Sequence, residues 1–321
     1  MRLDRAVRGA AVLALAVVAL CVPRGAQASS FTLTNGAGDG QVTVGVDGFG
    51  SFGSATGSDT ANAVYNPVGA GTAAGTTFES WVAIQIGAAG GARQALSTAY
   101  ALTNPLVTGS PTSGSSSFSF GGLNFTLTQI LTTLSSGSQL EQTYTITNAS
   151  TSQQTIDFEL VRYLDGDLLF DGSLNDGGGR LTGPETLFET DSATGGSTST
   201  TFVGIRATGG TTPLTNRYEV DSYSGLRGRI LAGTALDDLI TNDGGDADQF
   251  IDAGFGYDVT LALRNTFSLG FGQSATYTTT TIWGSGTPED RGGPSPVPEP
   301  TSLLLLGSGV ALVALRLRRA R

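Results

Sequence analysis

The sequence contains no lysine and no histidine, and its single cysteine and single methionine are Cys21 and Met1. Without lysine there is no Schiff-base chemistry. Without histidine there is no imidazole base to activate a hydroxyl and no imidazole metal ligand. Cys21 falls in a leader segment, so the remaining chain has no disulfide, no thiolate nucleophile and no thiolate-bound zinc. Charged residues make up only 14% of the 321 positions. What remains for chemistry is carboxylates, hydroxyls, arginines and aromatics.

The 17 basic residues are all arginine, and they are distributed unevenly. Residues 1–28 hold four of them with one acid, and residues 301–321 hold four with none. The stretch between is left with nine arginines against 26 acids, a net charge of −17. Such a body repels nucleic acid and anionic lipid, stays soluble, and attracts divalent cations.

Arg2, Arg5 and Arg8 precede the apolar run GAAVLALAVVALCV, and AQASS follows with Ala26 and Ala28 at the −3 and −1 positions. That order predicts a signal peptide over residues 1–28, cut by signal peptidase after Ala28. The run is too short and wrongly flanked for a membrane anchor. Leu20 before Cys21 argues against a lipoprotein signal, which wants a small residue there.

At the other end, GSGTPEDRGGPSP (284–296) reads as a flexible spacer and SPVPEP as a stiff extended stretch. TSLLLLGSGVALVAL (301–315) carries no charge. As a helix it would reach roughly 22 Å, against a hydrocarbon core of ~30 Å. It spans if Arg316, Arg318, Arg319 and Arg321 snorkel and the bilayer thins. Those arginines form a basic membrane stop that keeps the C-terminus inside. Val297, Pro298, Glu299 and Pro300, the apolar helix and the basic end together resemble the PEP-CTERM sorting signal. The same tail carries the historical label "ice-binding protein C-terminal domain", which does not imply ice binding. The resemblance covers residues 297–321. It implies an exosortase as processing partner and a transient inner-membrane anchor. The body would then be released or attached at the cell surface, in a Gram-negative envelope with an exopolysaccharide or biofilm-matrix setting.

The body, residues 29–283, reads as β almost throughout, with runs of β-branched and alternating residues bounded by Gly, Asn, Asp and Ser. Candidate strands include 41–46, 78–86, 117–130, 140–148, 155–164, 200–208, 217–223, 257–269 and 274–283. Tyr144 and Ile146 face Ile156, Phe158 and Leu160 across a polar turn, which predicts a β-hairpin with one core face. Only 228–240 has helical period. The expected fold is all-β: one large β-sandwich of antiparallel strands, flanked by the signal peptide and the sorting helix. TGSPTSGSSS (108–117) is the best internal candidate for a boundary.

Two acidic, glycine-rich loops are candidate Ca²⁺ ligands, since hard oxygen donors at alternate turn positions are what that ion takes. The first, 163–180, offers Asp165, Asp167 and Asp171, with Asn175 and Asp176. The second, 237–258, offers Asp246, Asp248 and Asp252, with Asp243. Fitted to an EF-hand frame with Ile251 at the eighth place, the second loop lacks the first acid, the turn glycine (Gln249) and the twelfth acid (Phe255). Asp and Asn in such loops also form Asx-turns with no metal. Asp165 and Asp167 resemble a glycosidase pair, but YLDGD reads as a turn, and sequence spacing does not establish the separation such a pair needs. Carboxylates gathered near Arg162 or Arg180 would be its mark. Trp81 and Trp283 are candidate sugar-stacking residues and, more commonly in β proteins, core. TYTTTTIW places threonine at alternate positions of one strand, and nothing else in the sequence repeats it.

The expectation is an exported, non-enzymatic surface or matrix protein with Ca²⁺ as its only candidate cofactor. The alternatives are a carbohydrate-binding module and, behind it, a carbohydrate-active enzyme, each acting on exopolysaccharide.

Overall fold

The computed structural model describes residues 31–56, 63–69, 72–87, 90–99, 107–152, 154–168, 170, 172–192, 201–245 and 248–285. The expected signal peptide with Ala26 and Ala28, residues 286–296 of the expected spacer, the motif at 297–300, the expected helix at 301–315 and Arg316, Arg318, Arg319 and Arg321 lie outside them, as do Asp171 and Asp246.

Three antiparallel sheets make up the body. The first contains β1 (Phe31–Thr34), β2 (Val42–Val46), β3 (Ala63–Tyr65) and β4 (Ala74–Gly75) in sequential order. The five-stranded sheet is built from β5 (Thr77–Ile86), β6 (Gln94–Ala95), β11 (Thr155–Gly166), β15 (Tyr218–Ser222) and β16 (Val259–Gly270), in the order β15-β16-β11-β5-β6. The eight-stranded sheet takes β7 (Thr108–Ser110), β8 (Ser113–Phe120), β9 (Leu123–Leu134), β10 (Gly137–Asn148), β12 (Gly177–Thr182), β13 (Glu185–Thr190), β14 (Thr201–Thr208) and β17 (Ser274–Ser285). Its order is β12-β13-β14-β17-β10-β9-β8-β7.

Alternation in the sequence decides which face is wet. In β9 buried Leu123, Phe125, Leu127 and Gln129 alternate with exposed Asn124, Thr126, Thr128 and Ile130. One face meets the core and the other meets water. β11 is instead buried at every position from Phe158 to Gly166. Its Phe158, Leu160 and Leu164 join the main core, while Val161 and Tyr163 join a second cluster on the opposite face. That second cluster is closed by Leu226 and Ile230 of α1 (Tyr223–Ala232). The five-stranded sheet is thus covered by the eight-stranded sheet on one side and by α1 on the other. Phe158 stacks on Phe267 at 4.9 Å, and Phe267 meets Tyr277 edge-on at 5.8 Å, which joins the two layers.

Several expectations are corrected. β10 and β11 do not form a hairpin: β10 pairs with β9 and β17, and β11 with β16 and β5. Tyr144, Ile146, Ile156, Phe158 and Leu160 share one core, but across the sandwich. The run 117–130 is two strands, because Gly121 and Gly122 at φ 57° and 85° make a two-residue hairpin turn. Residues 108–117 are no boundary, since they form the β7–β8 hairpin. α1 starts before the helical period at 228 and ends where Gly233 adopts φ 82°. β17 runs two residues into the expected spacer, where the hydroxyl of Ser285 accepts from the Val68 amide at 2.8 Å.

Candidate functional site

The two acidic loops meet. Asp176 and Tyr257 exchange backbone hydrogen bonds of 2.8 and 3.1 Å, the Arg180 amide donates to the Gln249 carbonyl at 2.9 Å, and the Ile251 amide donates to Gly178 at 2.8 Å. The second loop is thereby added to the edge of β12.

Their carboxylates divide into two kinds. In the second loop they cap their own turns. Asp243 accepts from the Gly245 amide at 3.1 Å and Asp248 from the Phe250 amide at 2.8 Å, both Asx-turns. Asp252 packs so closely on Gly244 that a Cβ there would overlap its Oδ2. Gln249 sits at φ 70°, so the position that would be the EF-hand turn glycine adopts the left-handed geometry without being one. Phe255, at the twelfth place, is exposed.

The first loop is different. β11 shifts register against β5 at Asp165/Gly166. Asp165 lies opposite Glu79 of β5 and Thr260 of β16. It is 1% exposed, and its Oδ1 has no hydrogen-bond donor. Burial, then the charges of Asp258, Asp167 and Glu79, push its carboxyl up to about 9, with Arg227 opposing. Arg227 of α1 is held by Glu79, bidentate at 2.5 and 2.9 Å. Burial and Asp258 raise Asp167 to about 6, and burial raises Asp258.

Glu189 of β13 completes the group and carried no local signal in the sequence. It stands opposite Gly178, is fully buried, and neither of its oxygens meets an N–H or O–H donor. Its carboxylate lies against Gly166, where any Cβ would fall inside it. The Asp176 carboxyl faces it, and two carboxyls bond to each other only if one keeps its proton. Burial, Asp176, Asp165 and Asp167 all hold the Glu189 proton on well above the usual range. The structure thus brings together Asp165 and Asp167 with Asp176, Asp258 and Glu189, and leaves Asp248 and Asp252 in separate turns. Among the described residues no three acidic side chains form a ready-made metal cage.

The other candidate residues are structural. Trp81 stacks on Tyr163 at 4.3 Å, and Trp283 donates to the Thr76 hydroxyl at 2.8 Å, both in the core. Arg162 is fully buried, donating to the Trp81 and Tyr163 carbonyls and to the Thr281 hydroxyl. Arg180 pairs with Glu185 at 2.7 Å and lies over the Tyr218 ring.

The outer face of the eight-stranded sheet corrects the reading of TYTTTTIW as an isolated strand. Register aligns Ser115, Thr128, Thr143, Thr278 and Thr208 across five strands. The next row is Ser117, Thr126, Thr145 and Thr276, and the next Ser119, Asn124, Thr147 and Ser274. Neighbouring hydroxyls bond to each other, Thr143 to Thr278 at 3.2 Å and Thr147 to Ser274 at 2.7 Å. These three rows carry no charge.

Fold and site define an antiparallel β scaffold with a buried carboxyl cluster and a flat hydroxyl face. The PEP-CTERM protein-sorting motif model matches residues 296–319, which include residues 297–300 and Arg316, Arg318 and Arg319. The chain therefore carries the tail of an exported protein sorted by an exosortase, with a membrane-anchored sorting signal. No curated protein matches the chain. No helix among the described residues is long and apolar enough to cross a membrane.

Proposed function

We propose that this protein is a non-enzymatic surface scaffold, exported on the signal peptide at 1–28 and freed of its tail by an exosortase. The observation that carries this reading is the sorting motif at 296–319. Fractionation of cells with and without the exosortase tests the reading. The body should reach the surface or medium only when the exosortase is present and residues 297–300 are intact. Equal release of a Pro298→Ala, Glu299→Ala variant would overturn it.

A second reading, carbohydrate binding, is favoured by the hydroxyl face. In a chain whose residues 29–300 carry a net charge of −17, three uncharged rows dominated by hydroxyls suit a neutral, hydroxyl-rich polymer better than a polyanion or polycation. Both tryptophans are buried, so contact would be through hydrogen bonds and not ring stacking. Co-sedimentation with an insoluble neutral polysaccharide should be lost in a Thr126→Glu, Thr145→Glu variant. Unchanged sedimentation would exclude that face.

Calcium supports this scaffold through the acidic loops.

A further inference from the structure

We infer that Glu189 and Asp176 form the core of a divalent-cation site of the calcium class. This deepens the calcium-supported part of the reading above and rests on it, but it is independent of the sorting tail.

The argument starts from Glu189. A carboxylate with no exposed surface and no donor to either oxygen is among the costliest groups a fold can hold. The charged groups facing it make matters worse: Asp176 from the residue before β12, and Asp165 and Asp167 from either side of Gly166. Arg227, which faces Asp165, is spent on Glu79, and Arg180 of β12 on Glu185. Tyr257, on the neighbouring loop, carries a phenol that burial holds neutral. No basic residue of the cluster is left to neutralise Glu189. Only a proton or a bound cation can do so.

The donor set selects the cation. All donors are carboxylate, carbonyl or hydroxyl oxygens, which are hard ligands, and the chain has no histidine and no thiolate outside the leader. Glu189 and Asp176 supply up to four oxygens, and backbone carbonyls or water supply the rest of the six to eight that calcium takes. Gly166 is what leaves room for the Glu189 carboxylate between Asp165 and Asp167. Those two and Asp258 add charge around the pair. The aspartates that turn chemistry favoured, Asp248 and Asp252, have no part in it.

The test is thermal melting and calorimetric titration of the full chain in detergent, at pH 8. Calcium chloride is the probe, with magnesium chloride and a chelator as controls. The wild-type protein should melt several degrees higher with calcium than with chelator. Glu189→Gln is nearly isosteric and needs no proton. It should lose the calcium effect, and in chelator at pH 8 it should melt at or above the wild type. Asp176→Asn should likewise lose the calcium effect. Retention of the calcium effect in both variants would place the ion elsewhere and overturn this assignment alone. Absence of any effect on the wild-type protein would overturn calcium support altogether.

Discussion

The hydroxyl of Tyr144, rising from the inner face of β10, donates to the backbone carbonyl of Phe49 at 2.8 Å. It is one of four such contacts in a row. Gln129 donates to the carbonyl of Asp47, Ser116 to Gly48 and Gln142 to Gly50, at 3.1, 2.6 and 2.7 Å. Residues 47–50 are buried without being a strand, so their carbonyls have no ladder partner. Side chains of the eight-stranded sheet supply what a neighbouring strand would otherwise supply.

Tyr144→Phe removes a buried donor to the Phe49 carbonyl. The expected cost is about 1–3 kcal/mol in chemical denaturation. Gly50→Ala should cost more than a turn glycine elsewhere, since its φ is 88° and a Cβ would overlap the Tyr144 hydroxyl. A Tyr144→Phe protein as stable as the wild type would mean that the row is not holding the segment.

Asp165 sets a pH dependence of unusual sign. Its carboxyl is raised from its ordinary 3.8 to about 9, so between those values the folded protein holds a proton that the unfolded chain has released. Stability therefore falls as pH rises through that window. Asp167 and Asp47, both near 6, add the same sign over the lower part of it. In chelator the melting temperature should decline from pH 5 to pH 9, and Asp165→Asn should flatten the upper part of the decline. A melting temperature that climbs over this range would contradict the buried, proton-bearing cluster.

Arg162 is a buried cation with no carboxylate partner, and its guanidinium bridges two carbonyls and a hydroxyl over the Phe52 ring. Burial pulls it down to about 10, far enough above neutrality that it stays charged. Lysine presents one ammonium and cannot span the same acceptors. Arg162→Lys should destabilise by about 2–4 kcal/mol, read from denaturant midpoints. A loss below ~0.5 kcal/mol, the scale of an ordinary surface substitution, would show that the guanidinium fork is dispensable.

Much of the architecture is legible in the sequence where alternation is long. β2, β5, β10, β11, β16 and β17 fall close to their expected positions. β12 and β13 were hidden because GGGRLTGPETLFET reads as turn residues around a short apolar run. The β10–β11 connection was misread because a polar turn between two strands looks the same whether it joins neighbours or crosses between sheets. Asp165 and Asp167 stood out as acids in a glycine-rich loop. Glu189 could not, being an acid near the end of a short strand whose role depends on which backbone lies across from it. The hydroxyl face had the same difficulty. Its threonines and serines lie on β8, β9, β10, β14 and β17, and only the register brings them into rows.

The central claim, that the tail is an address removed after export, is tested most directly by one mass measurement. Intact-mass spectrometry of the protein recovered outside exosortase-bearing cells should show an N-terminus at Ser29 and the loss of residues 301–321. A recovered protein that still carries the apolar segment and the terminal arginines would contradict it.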